Sequence, residues 1–190
     1  MSFETAYAAM LRHEGWYSDD PNDPGGPTWR GIARNRQPAW PGWTRFDEIV
    51  ARFPSVREAI PELRRDPVLA GMVEDLYHST FWRPLRLDEI ADPTISAKVF
   101  DMTVNMGWAP AVLCLQNACN YLIRRAEEIA EDGKIGPRTI AAVNAQNPRR
   151  LLLALRGYHF MHYERLVEGP NARFETFAPG WLERALGEGA

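Results

Sequence analysis

The sequence predicts a mainly α-helical single domain of about seven helices, with an irregular or small hairpin segment after the first. Three observations carry this expectation. Apolar residues recur at i, i+3, i+4 and i+7 along most of the chain, the spacing of one helical face. Asp66-Pro67 and Asp92-Pro93 read as N-caps followed by proline at the first helical position. The strong turn signal Asp23-Pro24-Gly25-Gly26 follows directly on the first apolar stripe. At 190 residues the chain can bury one good core and is short for two, so one domain over 1–190 is expected.

In the first helix Phe3, Ala6, Tyr7, Met10 and Leu11 share a face, and Glu14 falls in the same phase. Ser2 reads as its N-cap, Glu4 suits the positive end of its dipole, and Gly15 stops it after Glu14. Residues 37–46 hold Pro38, Trp40, Pro41, Gly42 and Trp43, which reads as a rigid aromatic loop whose indoles form a lid on the core or, if exposed, platforms that stack on a sugar face. A short helix is expected over Phe46–Phe53, then a stretch from Pro54 to Pro67 broken by three prolines.

The second half is more regular. Val68, Leu69, Met72, Val73, Leu76, Tyr77 and Phe81 define a helix from Asp66-Pro67 to about Trp82. Ile95, Val99, Met102, Thr103 and Met106 define the next, with Lys98, Asp101 and Asn105 along its flank and Gly107 as its stop. Pro110 opens a long helix with Val112, Leu115, Cys119, Leu122, Ile123 and Ala126 inward. A turn at residues 132–136 uses two glycines for unusual backbone angles, and Pro137 starts another helix. Pro148 begins a helix packed through Leu151, Leu152, Leu155, Tyr158 and Leu166, and Trp181–Leu186 closes the chain before a frayed end.

Composition removes several function classes. A net charge of −3 and a pI near 5.8 give no general attraction to nucleic acid or to an anionic membrane. Cys114 and Cys119, five apart on one helix, stand roughly 8 to 9 Å apart, beyond the ~7 Å reach of a disulfide, so free thiols are expected. His159 and His162 are three apart without a third ligand at a recognisable spacing, and no metal is expected. His78 reads as a surface or satisfied core histidine. Residues 1–15 lack the features of a secretory signal, and no stretch reaches the ~18 apolar residues of a membrane span. Synthesis in the cytoplasm without stable membrane insertion is expected.

The residues that carry chemistry lie near the N-terminus. A carboxyl group held against an apolar face is desolvated, which raises its pKa as a general acid near neutral pH requires. Glu14 fits that description, or is a helix-terminal glutamate paired with Arg12 or Arg30. The turn at Asp23 folds the chain back, so Asp19, Asp20 and Asp23 can face Glu14 or can cap their own backbone. Glycoside hydrolysis needs this pairing of a protonated carboxyl with a carboxylate across the sugar.

The run from Phe3 to Ile32 resembles glycoside hydrolase family 108, the phage and prophage N-acetylmuramidases. Their signature begins Glu-Gly-Gly-Tyr and continues through Asp-Pro-x-Asp-Pro-Gly-Gly-x-Thr to Gly-Ile. The second half agrees: Tyr77–Pro84, Phe100–Gly107 and the Asp-Gly-x-Ile-Gly-Pro-x-Thr run at 132–139 resemble segments of the same family and of its predicted peptidoglycan-binding part. The resemblance implies a lysozyme-like fold, with residues 3–90 as the hydrolase half and 91–186 as the wall-binding half. It implies Glu14 as catalytic acid, with Asp23 and Thr28 positioning water as in T4-type phage lysozymes. A sugar-binding groove lined by Tyr17, Asp20 and Trp29 is expected beside them, and Asp101 and Asn105, one turn apart, can bond a glycan hydroxyl or tie helices together.

The resemblance further implies cleavage of the β-1,4 bond between N-acetylmuramic acid and N-acetylglucosamine in bacterial peptidoglycan, without a cofactor. A monomer acting on the wall from the periplasm, delivered by a holin or a secretion system, completes the expectation. A lytic transglycosylase or a non-catalytic wall-binding or secretion-assisting protein are the alternatives. Two departures from the pattern stand out. Trp16 replaces the second glycine of the signature, and Trp29 stands where the family usually has asparagine.

Overall fold

The computed structural model describes residues 3–12, 15–21, 23–123, 127–168 and 178–186. Among them are nine α-helices and a three-stranded antiparallel sheet, the mainly α architecture expected. Contacts group the chain into two compact units, residues 7–80 and residues 1–6 with 81–190.

In the first unit, the end of α1 (Phe3–Leu11) leads into β1 (Tyr17–Ser18), β2 (Thr28–Trp29) and β3 (Ile32–Ala33). Tyr17 pairs with Trp29 and Ser18 with Thr28, while Thr28 pairs with Ala33 and Trp29 with Ile32. Arg30 and Gly31 turn the second hairpin with φ of 50° and 79°, the two positive angles of the tight turn that matches strand twist.

Helix α2 (Gly42–Val50) starts four residues before the expected Phe46, because Pro41 occupies its N-cap and Trp43, Phe46 and Ile49 bury one face. Gly42 is required there: a Cβ would lie 2.1 Å from the Trp40 ring. The stretch expected to be broken by prolines is instead helix α3 (Val56–Arg65), with Pro61 inside it. Ser55 caps it, its hydroxyl accepting from the Glu58 N–H at 3.3 Å and donating to Glu58 Oε1 at 3.1 Å. In α4 (Pro67–Tyr77), Asp66 accepts from the Leu69 N–H at 2.7 Å, and Leu69, Val73 and Tyr77 are buried. The helical run expected to Trp82 changes at His78 into a π turn, His78–Trp82.

The second unit gathers α5 (Pro93–Met106), α6 (Trp108–Leu122), α7 (Pro137–Asn144), α8 (Pro148–Glu168) and α9 (Ala178–Leu186). Asp92 caps α5 by accepting from the N–H groups of Thr94 and Ile95 at 2.9 and 3.2 Å. Phe3, Trp82 and Phe100 form an edge-on triangle, with ring centroids 5.4, 5.8 and 5.6 Å apart. Helix α6 begins two residues before Pro110 and ends at Leu122, so Ile123 is extended and Ala126 lies outside the described residues.

Buried Gln116 holds the 132–136 turn, its amide donating to Asp132 Oδ1 at 2.9 Å and accepting from the Gly133 N–H at 2.9 Å. Only one glycine of that turn has an unusual angle, Gly133 at φ 68°; Gly136 is extended, an ordinary N-cap for α7. Both cysteines are buried free thiols, and burial pushes Cys114 up to about 11 and Cys119 up to about 12. No helix is long and apolar enough to cross a membrane among the described residues.

Candidate functional site

Glu14 and its neighbour His13 lie outside the described residues. The helix expected to reach Glu14 stops earlier. Its α-helical residues end at Leu11, and the Arg12 N–H donates to Ala9 O at 3.2 Å, the tighter i−3 bond of a closing turn. Gly15 is exposed where the described chain resumes.

Between β1 and β2 the chain folds around Asp23. Its Oδ1 accepts from the Gly25 N–H at 2.8 Å, and its carbonyl accepts from the Gly26 N–H at 2.9 Å. Gly26 has φ 65°, and a Cβ there would lie 2.7 Å from Asn35 Nδ2. Asn35 in turn donates through Nδ2 to Pro24 O at 3.1 Å and through its backbone N–H to Gly25 O at 3.0 Å. Thr28 Oγ1 donates to Gly26 O at 3.0 Å. Asp23 and Thr28 are therefore both fastened to Gly26, Asp23 through its carbonyl and Thr28 through its hydroxyl. The second Asp23 carboxylate oxygen makes no bond to the described residues, and the side chain is exposed. Asp20 is also exposed, and its carbonyl accepts from the Asp23 N–H at 2.9 Å.

Aromatic rings fix the sheet to α2. Phe46 stacks on Tyr17 at 5.8 Å and meets Trp29 and Trp43 edge-on at 5.6 and 5.5 Å. Tyr17 donates from its hydroxyl to Asp19 Oδ2 at 3.2 Å, and burial, followed by the nearby Asp19 carboxylate, raises its pKa. Trp40 and Trp43 lie in the core, the first of their two expected roles, their indole N–H groups donating to Met72 O at 3.3 Å and Gln37 O at 3.0 Å. Trp29, expected at the sugar, is instead 1% exposed and closed in by Phe46 and Trp16, so its ring supports the sheet from beneath.

Two residues that the sequence does not single out as site residues shape this surface. The guanidinium carbons of Arg30 and Arg64 stand 4.0 and 4.4 Å from the centre of the Trp16 ring, which remains 37% exposed. Arg64 reaches Trp16 from α3, the helix that its prolines conceal. The Ser55-x-x-Glu58 capping box is the sequence signal that reveals it.

Asp101 and Asn105 belong to the other unit and act as a tie between helices. Asn105 Nδ2 donates to Asp101 O at 2.6 Å and to its Oδ1 at 3.2 Å, and Asp101 Oδ1 pairs with Arg184 Nη2 of α9 at 3.0 Å. Buried Lys98 donates to Arg184 O at 2.7 Å, and burial lowers its pKa to about 8. A carboxylate engaged by a guanidinium in this way has a structural partner already, which accounts for the polar flank of α5 without a glycan. No group of three or more His, Cys, Asp or Glu that could hold a metal occurs among the described residues.

Residues 7–107 match the family model of Glycosyl hydrolase 108, and residues 110–186 match that described as Predicted Peptidoglycan domain. The chain is similar to a solved structure titled "Structure of Brucella abortus SagA", with 25% identity and a TM-score of 0.63 over 96% of this chain and 88% of that one. No curated protein matches the sequence. The first family match spans more than half of the chain, and the second places a peptidoglycan module directly after it. The chain belongs to glycosyl hydrolase family 108 and is a glycoside hydrolase that acts on peptidoglycan.

Proposed function

We propose that the protein is an N-acetylmuramidase that cuts the β-1,4 bond between N-acetylmuramic acid and N-acetylglucosamine, in the lytic role of a phage-type endolysin. Glu14 is the general acid. It gives its proton to the glycosidic oxygen as the C1–O bond breaks and C1 gains oxocarbenium character. Water then adds at C1, and its proton passes to Asp23, with Thr28 helping to place the water. The glycan product leaves with a reducing muramic acid end.

The observation that best supports this reading is the Asp23 turn. One carboxylate oxygen is held by the Gly25 N–H, which fixes the orientation of the group and leaves the other oxygen exposed for a water. Thr28 is fastened to the same turn through Gly26. Tyr17, with its hydroxyl on Asp19, lines the sugar groove, together with exposed Asp20. Residues 3–90 supply the chemistry and residues 91–186 the hold on the wall. Delivery by a holin or a secretion system, and action as a monomer, complete the reading.

Mass spectrometry of purified sacculi after digestion tests it. Reducing muramic acid ends are expected. Ends of the 1,6-anhydro type assign a transglycosylase instead, and binding with no soluble fragments assigns a non-catalytic wall protein.

A further inference from the structure

A groove of about 280 Å³ opens between α6 and α8 in the second unit. Helix α6 lines it with Pro110, Leu113, Cys114 and Asn117, and α8 lines it with Tyr158, His162 and Arg165. Each set keeps to one helical face, at i, i+3, i+4, i+7 and i, i+4, i+7. Where the two helices meet, the Cys114 thiol donates to Tyr158 O at 3.6 Å.

The lining is chemically lopsided. Among the described residues it holds one permanent cation and no carboxylate, which suits an anion and offers nothing to a second cation. Arg165 makes no hydrogen bond or ion pair with the described residues, and neither does the Tyr158 hydroxyl. Asn117 spends its amide N–H on Leu113 O at 2.8 Å, leaving its Oδ1 as an acceptor. Burial, followed by the charge of Arg165, lowers the pKa of His162, so its imidazole is neutral near pH 7 and adds no second charge. The rest of the wall is apolar and small: Pro110, Leu113 and Cys114.

A carboxylate beside a short apolar group, with an N–H one bond further along, fits these parts together. We propose that this groove binds the C-terminal alanine of a peptidoglycan stem peptide, with its carboxylate on Arg165 and Tyr158, its methyl on Leu113 and Cys114, and its N–H on Asn117 Oδ1. The inference rests on peptidoglycan as the substrate, and it gives the second unit a peptide rather than a sugar to recognise. A glycan chain is the poorer occupant, because its many hydroxyls would meet an apolar wall.

Titration of the full chain with N-acetyl-L-lysyl-D-alanyl-D-alanine, read by the NMR signal of the His162 imidazole, tests this. The expected result is a saturable shift that is absent with the same peptide amidated at its C-terminus. Arg165→Gln should weaken it roughly tenfold or more, since a charge-assisted hydrogen bond is lost from an exposed residue with no other partner among the described residues. Absence of saturation, equal binding of the amide, or unchanged affinity in Arg165→Gln overturns the proposal. A γ-D-glutamyl peptide that binds as tightly would overturn the choice of alanine. Release of reducing muramic acid ends by the same preparation is scored separately: cleavage without peptide binding sinks only this inference, and peptide binding without cleavage sinks only the muramidase reading.

Discussion

Trp16 and Trp29 pack against each other, with ring centroids 5.8 Å apart and planes tilted by 53°. These are the two positions at which the chain departs from the signature it otherwise resembles. The departures are therefore a single structural change: the buried indole of Trp29 gives the half-exposed indole of Trp16 a floor, and Arg30 and Arg64 cover its ring. Trp29→Ala should cost about 3–5 kcal/mol, as for other buried aromatic truncations. Trp16→Ala should cost about 1 kcal/mol, and the double variant should fall short of the sum by roughly 0.5–1.5 kcal/mol. Urea unfolding of the four proteins measures the cycle, and strict additivity would show that the pair is not coupled.

Asp23 serves as turn-maker and as proposed water-positioning base, and two substitutions separate the roles. Asp23→Asn keeps an oxygen to accept the Gly25 N–H, so stability should stay close to wild type while hydrolysis falls. Asp23→Ala should lose hydrolysis and also about 1 kcal/mol of stability with the hydrogen bond. Activity retained in Asp23→Asn but lost in Asp23→Ala would leave the residue only its turn.

The helices were legible wherever a stripe and a cap coincide, as at Asp66-Pro67 and Asp92-Pro93, because both signals act through local backbone bonds. Helix α3 was not legible by counting prolines. Pro54 precedes the cap, Pro67 starts the next helix, and only Pro61 sits inside a helix, so position matters more than number. The Asp23 turn was readable from Asp, Pro and Gly alone. The placing of Trp29 was not, since two-residue strands have no period from which to read an inward face. The partner of Asp101, Arg184, lies on another helix far along the chain, and no local pattern points to it.

His159 gives the second unit a sensitivity to acid. It is fully buried with neither ring nitrogen bonded to a described residue, and burial, then the charges of Lys98, His162 and Arg184, lowers its pKa to about 3. The unfolded chain takes up this proton below its ordinary value of about 6.5, whereas the folded chain does so only near 3. Its contribution to stability is thus present above 6.5 and is lost as pH falls from there toward 3, at up to about 1.4 kcal/mol per pH unit. Comparing urea midpoints of wild type and His159→Phe from pH 7 to pH 4 isolates the effect. The variant should lose less stability over that range, and parallel curves would contradict the assignment.

The central claim is that Glu14 is the proton donor. Its most direct measurement is the release of reducing ends from purified sacculi by Glu14→Gln, alongside its melting temperature. Glutamine keeps the size of the side chain and cannot give up a proton, so the predicted result is a loss of roughly 10²- to 10⁴-fold in rate with an unchanged melting temperature. Full lytic activity in a folded Glu14→Gln protein would contradict the account.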